Sequence, residues 1–174
     1  MEQEQMIRTH LWHNPWLEPP YAALLGLAEE IDALVLHQGA DDTALYYLAL
    51  NLRRRSAPCV PEAWFSFLKL VAGFSYKGIC MYDLTDIMKN NQDPDPVYGR
   101  AGMLRGGPVH YDRTRWLQNI RLGRSDHGAY FYACASDSYH LSLINGGTHS
   151  FADCGDMLHH VLYRIGAVYR AYSA

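Results

Sequence analysis

A C-terminal stretch, NGGTHSFADCGDMLHHVLYRIGAVYRAYSA at residues 145–174, decides the fold. A glycine-rich turn over residues 145–149 leads into a polar segment over residues 150–156. From Met157 to about Tyr172, apolar residues recur at the three- and four-residue spacing of one helix face. The residues on that face are Leu158, Val161, Leu162, Ile165, Val168 and Tyr169. We therefore expect a C-terminal helix that crosses a small sheet formed by the residues before it.

Two strands are predicted directly before this stretch, over residues 127–135 and 138–145. In the first strand, Ala129, Phe131 and Ala133 alternate with Tyr130, Tyr132 and Cys134. A short turn at residues 136–137 joins the two strands. We expect them to belong to an antiparallel sheet formed within residues 97–145.

The first half of the chain is predicted to be mainly helical. Apolar periodicity and end signals indicate helices over residues 21–38, 43–55, 61–72 and 83–90. Before them, Pro15, Pro19 and Pro20 rule out a continuous helix over residues 6–20. Residues 74–82 fit a strand and a loop equally well.

One domain spanning residues 1–174 is the simplest organisation for this length. A loop over residues 90–97, which begins NNQDPDP, separates a helical part at 1–90 from a mixed α/β part at 98–174. The second part is only about 75 residues long, which is small for an independent unit, so we place the loop within one domain. The predicted fold class is α+β: a helical N-terminal half packed on a small antiparallel sheet, with a C-terminal helix.

Charge is distributed unevenly along the chain, although the net value is only −3. Residues 1–50 contain eight acidic residues and one basic residue, whereas residues 100–125 contain six arginines and one acidic residue. Domains that bind nucleic acid are usually basic overall, so nucleic acid is not favoured as a partner. The arginine-rich segment instead fits a protein partner with an acidic surface.

Several classes of protein are disfavoured by the sequence. The first residues, MEQEQ, lack the features of a secretory signal, and no apolar run reaches the roughly 18 residues of a membrane span. The four cysteines form no Cys-x-x-Cys pair, and the adjacent His159 and His160 diverge on a helix, so we expect no metal site.

We expect no cofactor and a cytoplasmic location with reduced thiols. The excess of arginine over lysine points to a bacterial or phage source.

Cys154 is the first candidate for chemistry. It falls in the first turn of the predicted C-terminal helix, where the positive end of the helix dipole favours a thiolate. His127 and His140 are candidate bases that accept the thiol proton before the thiolate attacks a carbonyl carbon. The charges of Asp153 and Asp156 raise the pKa of the thiol instead, so a cysteine that packs in the core is the competing interpretation.

The segment DCGDMLHHVLYRIG, residues 153–166, resembles the nucleophile helix of papain-like cell-wall peptidases and of their circularly permuted acyltransferase relatives. The permuted members place the histidine strand before the cysteine helix, and HGAYFY at residues 127–132 then corresponds to that strand. The resemblance implies a Cys–His hydrolase or acyltransferase that uses Cys154 and His127.

A second resemblance concerns MLRGG at residues 103–107, HGAYFYA at residues 127–133 and Tyr139, which are similar to the first two motifs of ADP-ribosyltransferases. In that family an arginine or histidine on one strand meets NAD, and a Gly-x-Tyr-Phe strand walls the nicotinamide. The family's catalytic glutamate comes later in the chain, where this sequence offers only aspartate. The resemblance implies an NAD-binding transferase.

Our main functional expectation is a small protein-binding module rather than an enzyme. A small, tyrosine-rich chain with divided charge is typical of inhibitors, immunity proteins and regulatory factors, which act by surface complementarity. We expect the contact surface within residues 100–124. Its predicted partner-binding residues are Arg105, Tyr111, Arg113, Arg115, Trp116, Arg121 and Arg124. An acidic protein is the expected partner, and a homodimer is the alternative.

Overall fold

The computed structural model describes residues 1–55, 60–91 and 119–173. Its helices are α1 (Glu2–His13), a short 3-10 helix (Pro15–Leu17), α2 (Glu18–Glu30), α3 (Asp42–Arg55), α4 (Glu62–Leu68), α5 (Leu84–Asn90) and α6 (Cys154–Ser173). Its strands are β1 (Val35–Gln38), β2 (Val71–Tyr76), β3 (Ile79–Met81), β4 (Asn119–Ser125), β5 (Gly128–Ala133), β6 (Ser138–Leu143) and β7 (Thr148–Phe151). The mixed architecture, with a helical N-terminal half and a C-terminal helix, confirms the predicted α+β class.

The seven strands form one antiparallel sheet whose spatial order follows the chain from β1 to β7. Lys77 and Gly78 have positive φ values of 42° and 85°, and they form the tight turn between β2 and β3. Strand β3 pairs with β4 through Cys80 opposite Arg124 and Met81 opposite Gly123. The N-terminal and C-terminal halves of the chain therefore share a single sheet.

Helix α6 covers one side of this sheet, which we call the inner face. It contacts β3, β6, β7 and α2. Its buried residues include Met157, Leu158, Val161, Leu162 and Ile165, and the buried residues of the sheet beneath it include Tyr130, Tyr132, Tyr139, Leu141 and Phe151. Helix α5 contacts β4, and α3 packs on α5. The buried residues of these helices and of the sheet belong to one core cluster.

Several element boundaries differ from the sequence predictions. Residues 2–13 form α1, and the prolines that follow are accommodated because they lie in the 3-10 helix and the first turn of α2, where no intrahelical N–H is needed. The helix predicted over 21–38 ends at Glu30, and Val35–Gln38 forms β1. The helix predicted over 61–72 ends at Leu68.

The sheet is consequently larger than the one expected from residues 97–145, because three of its strands come from the N-terminal half and β7 follows the predicted range at residues 148–151. The ambiguous residues 74–82 form the end of β2, the turn and β3. Helix α5 ends at Asn90, and residues 92–118 are not described. Most of the predicted loop at 90–97 therefore lies outside the described residues.

Candidate functional site

The start of α6 is capped by two aspartates that exchange hydrogen bonds with the backbone. The Asp153 side chain accepts a hydrogen bond from the Asp156 N–H at 2.8 Å, and the Asp156 carboxylate accepts one from the Ala152 N–H at 3.0 Å. This reciprocal arrangement is similar to a capping box, except that Asp156 bonds to the residue before the N-cap, and Cys154 is the first residue of the helix. The predicted position of the cysteine in the first turn is therefore the observed one.

Cys154 is nevertheless a core residue, with only 2% of its surface exposed. Burial raises the pKa of its thiol well above the ordinary value, a contact with the Tyr139 hydroxyl acts in the opposite direction, and the charge of Asp153 raises it further. The same hydroxyl accepts a hydrogen bond from the Trp64 N–H at 3.3 Å. This environment favours the neutral thiol, which packs where β6, α4 and α6 meet.

The two candidate bases lie away from the thiol. His140 is on β6 between Tyr139 and Leu141, so its side chain points to the opposite side of the sheet from the Tyr139 hydroxyl that contacts Cys154. His127 lies in the turn between β4 and β5, and its Nε2 atom is 3.6 Å from a carboxylate oxygen of Asp126. Within the described ranges neither imidazole hydrogen-bonds to the thiol.

In the strand that resembles an ADP-ribosyltransferase motif, the tyrosine side chains are buried in the core. On β5, Tyr130 and Tyr132 are 0% and 2% exposed and lie beneath α6, while Phe131 points to the other side. Burial raises the pKa of Tyr130 to about 12. Residues 103–107 of the same motif lie outside the described residues.

A cluster of aromatic rings and imidazoles, not predicted from the sequence, joins β7 to α6. The His149 and His160 rings stack with centroids 5.9 Å apart, and Phe151 contacts both of them. The His160 Nδ1 atom is 3.0 Å from the Tyr130 hydroxyl. Burial lowers the pKa of His160, and His149, Arg164 and His127 lower it further. These effects favour a neutral His160, which packs and forms a hydrogen bond at the edge of the core.

A surface cleft of about 670 Å³ opens beside the start of α6. It is lined by Trp16, Ala63, Ala152, Asp153, Cys154, Gly155, Asp156 and His159. Both lining aspartates cap the helix and the lining cysteine is buried, so these three groups have structural roles.

Two of the predicted partner-binding residues, Arg121 and Arg124, are exposed on β4. The pairing of β4 with β5 has a register shift between Arg121 and Gly123, so that Arg121 lies opposite Phe131 and Arg124 opposite Ala129. We call the side of β4–β7 that faces away from α6 the outer face. Its residues are Asn119, Arg121, Arg124, Ala129, Phe131, Ala133, Ser138, His140, Ser142, Thr148 and Ser150.

The other predicted partner-binding residues, Arg105, Tyr111, Arg113, Arg115 and Trp116, lie outside the described residues. The exposed aromatic side chains that are described are Trp12, Trp16, Tyr46, Tyr47, Tyr163 and Tyr172. They are spread over α1, the 3-10 helix, α3 and α6, and scattered exposed aromatics of this kind are normal for a protein surface.

Within residues 1–55, 60–91 and 119–173, no group of histidine, cysteine and carboxylate side chains is arranged to hold a metal ion. None of the helices in these ranges combines the length and apolar character needed to cross a bilayer.

No protein-family model matches the chain, and no curated protein is significantly similar to it in sequence.

Proposed function

We propose that the chain is a small protein-binding module, acting in the cytoplasm as an inhibitor, immunity or regulatory factor of bacterial or phage origin. It acts by surface complementarity towards a protein partner with an acidic surface. The free thiols of Cys80 and Cys154 are compatible with a reducing compartment.

The observation that carries this proposal is the position of Arg121 and Arg124. Both are exposed on a strand inside the sheet. Arg124 lies between Cys80 of β3 and Ala129 of β5, and the backbone N–H and C=O of Arg121 are hydrogen-bonded to the side chain of Asn91. Neither forms an ion pair with a carboxylate of the described residues, whereas Arg8 pairs with Glu4 and Arg164 pairs with Asp126. Two exposed guanidinium groups on a strand with a fixed backbone, and free of such pairs, are suited to carboxylates of another molecule.

The alternative of a Cys–His hydrolase or acyltransferase is less well supported. It requires a thiolate at Cys154, but burial and the Asp153 charge favour the neutral thiol there. It also requires a base in contact with the sulfur, and His127 and His140 have other partners. The NAD-binding alternative requires exposed rings on β5, where Tyr130 and Tyr132 are buried. Both alternatives stay predictions, and the labelling of Cys154 described below tests the first of them.

A capture experiment tests the proposal directly. The tagged chain is used to isolate proteins from a lysate of cells that express it, and each captured protein is purified and titrated with the chain. We expect one stoichiometric complex whose affinity falls as NaCl is raised from 50 to about 500 mM, because exposed ion pairs are screened by salt. We also expect the partner's own activity to decrease as the complex forms.

Two results would contradict it. One is that no protein forms a stoichiometric complex with the chain. The other is that a purified partner is chemically modified or cleaved by catalytic amounts of the chain, which is the behaviour of an enzyme. The control is the same capture with Cys154→Ala, which retains binding if the thiol has only a packing role.

A further inference from the structure

The register shift in β4 places two arginines together on the outer face, which a regular strand would not do. In a regular strand, side chains three residues apart point to opposite faces, so Arg121 and Arg124 would be separated by the sheet. The register shift inserts one extra residue, with Leu122 and Gly123 both buried, and it brings the two arginines to the same face. Bulges of this kind are over-represented at sheet edges and next to active sites, where they redirect a side chain.

The stacked rings of Phe131 and His140 lie next to the two arginines. Arg121, Phe131, His140 and Ser150 occupy consecutive cross-strand positions on β4, β5, β6 and β7. The rings of Phe131 and His140 stack with centroids 5.2 Å apart. The hydroxyl of Ser138 is 2.6 Å from the His140 Nε2 atom, and that of Ser150 is 2.9 Å from Nδ1. Little side-chain freedom is left here to be lost when a partner binds.

The charge of the outer face is opposite to that of much of the molecule. None of its strand positions carries Asp or Glu. Asp83 and Asp86, at the start of α5, act electrostatically on Cys80, which lies opposite Arg124 on β3, and neither forms an ion pair with Arg124 among the described residues. The eight acidic residues of residues 1–50 are all exposed, on or beside α1, α2 and α3. A cationic, aromatic surface on a protein of net charge −3 complements an acidic partner.

We propose that the outer face of β4–β7 is the surface on which an acidic protein docks, with Arg121 and Arg124 bound to its carboxylates and the Phe131–His140 stack at the centre of the contact. This inference rests on the proposed binding function and assigns the surface for it. Arginine and aromatic side chains are the residue types that dominate protein interfaces, and the hydroxyls of Ser142, Thr148 and Ser150 form the polar rim.

Site-specific photocrosslinking tests this assignment. A benzophenone amino acid is introduced at Ser142, which is exposed on the outer face, and separately at Tyr163, which is exposed on α6. Each protein is irradiated in a lysate of cells that express the chain. We expect a single heterologous protein to be attached at Ser142 and not at Tyr163. The unmodified chain and the purified partner are then used to measure affinity.

Charge reversal provides the quantitative test. We expect Arg121→Glu and Arg124→Glu each to weaken binding at least about tenfold, and the matched variant Arg170→Glu, an exposed arginine on α6, to bind like the wild type. A carboxylate-to-arginine change in the partner should restore affinity to the Arg121→Glu chain. Unchanged thermal unfolding of all three variants shows that the loss is not due to misfolding.

The outcomes separate the two proposals. Crosslinking from Tyr163 alone, or equal binding by the arginine variants and the wild type, overturns the outer face as the docking surface while a binding function stands. A crosslinked product that contains two copies of this chain overturns the acidic heterologous partner and identifies a homodimer. Absence of any product from both positions, together with absence of a captured complex, overturns the binding function itself.

Discussion

At the scale of single residues, Cys154 illustrates how one environment decides between a catalytic and a structural thiol. The helix start that favours a thiolate also buries the sulfur, and burial is the larger influence on its pKa. We expect iodoacetamide at neutral pH to label Cys154 more slowly than the half-buried Cys80, whose pKa is also raised by burial. Mass spectrometry of proteolytic peptides measures both rates in the same sample.

Labelling in urea serves as the control for this experiment, because both thiols should react at similar rates once the chain is unfolded. Faster labelling of Cys154 in the folded protein would revive the hydrolase alternative. In that case the rate should follow a titration below the ordinary thiol pKa near 8.5, whereas a buried thiol gives a rate that still rises at higher pH.

At the scale of secondary-structure elements, the close pairing of β4 with β3 depends on Gly123. A Cβ atom at this position would lie 2.5 Å from the Cys80 carbonyl oxygen and 2.6 Å from the Met81 sulfur, both on the neighbouring strand β3. We expect Gly123→Ala to lower the free energy of unfolding by about 1–3 kcal/mol, because the strands must separate to admit the methyl group. Urea denaturation followed by circular dichroism measures the change.

Gly26 offers a matched control for that substitution. It lies inside α2, and a Cβ atom there meets nothing within 4 Å. Gly26→Ala should therefore raise stability by about 0.5–1 kcal/mol, since alanine loses less backbone entropy than glycine in a helix. A stabilising effect of Gly123→Ala would show that β3 and β4 are not held together as the structure describes.

The same elements show what the sequence could predict. Helix α6 and the pair β5–β6 were predictable because their apolar residues follow one period over many positions. The sequence pattern places the first residues of β2 in a helix because β2 is buried on both faces, and a continuous apolar run does not distinguish a central strand from a buried helix. The shared face of Arg121 and Arg124 was not predictable, because a bulge breaks the alternation from which faces are read.

At the scale of the whole molecule, the pairing of β3 with β4 predicts one cooperative unit, although residues 82–118 separate these strands in the sequence. Leu122 on β4 and Leu68 on α4 come from the two halves of the chain, and each is 0% exposed in the common core. We expect Leu122→Ala or Leu68→Ala to lower the free energy of unfolding by about 2–5 kcal/mol. In each variant, tryptophan fluorescence and circular dichroism should report the same single transition in urea. Ile144→Ala, at a side chain that is 79% exposed, should change neither signal appreciably. Two separated transitions, with each substitution shifting only one of them, would show instead that the chain consists of two independently folding parts.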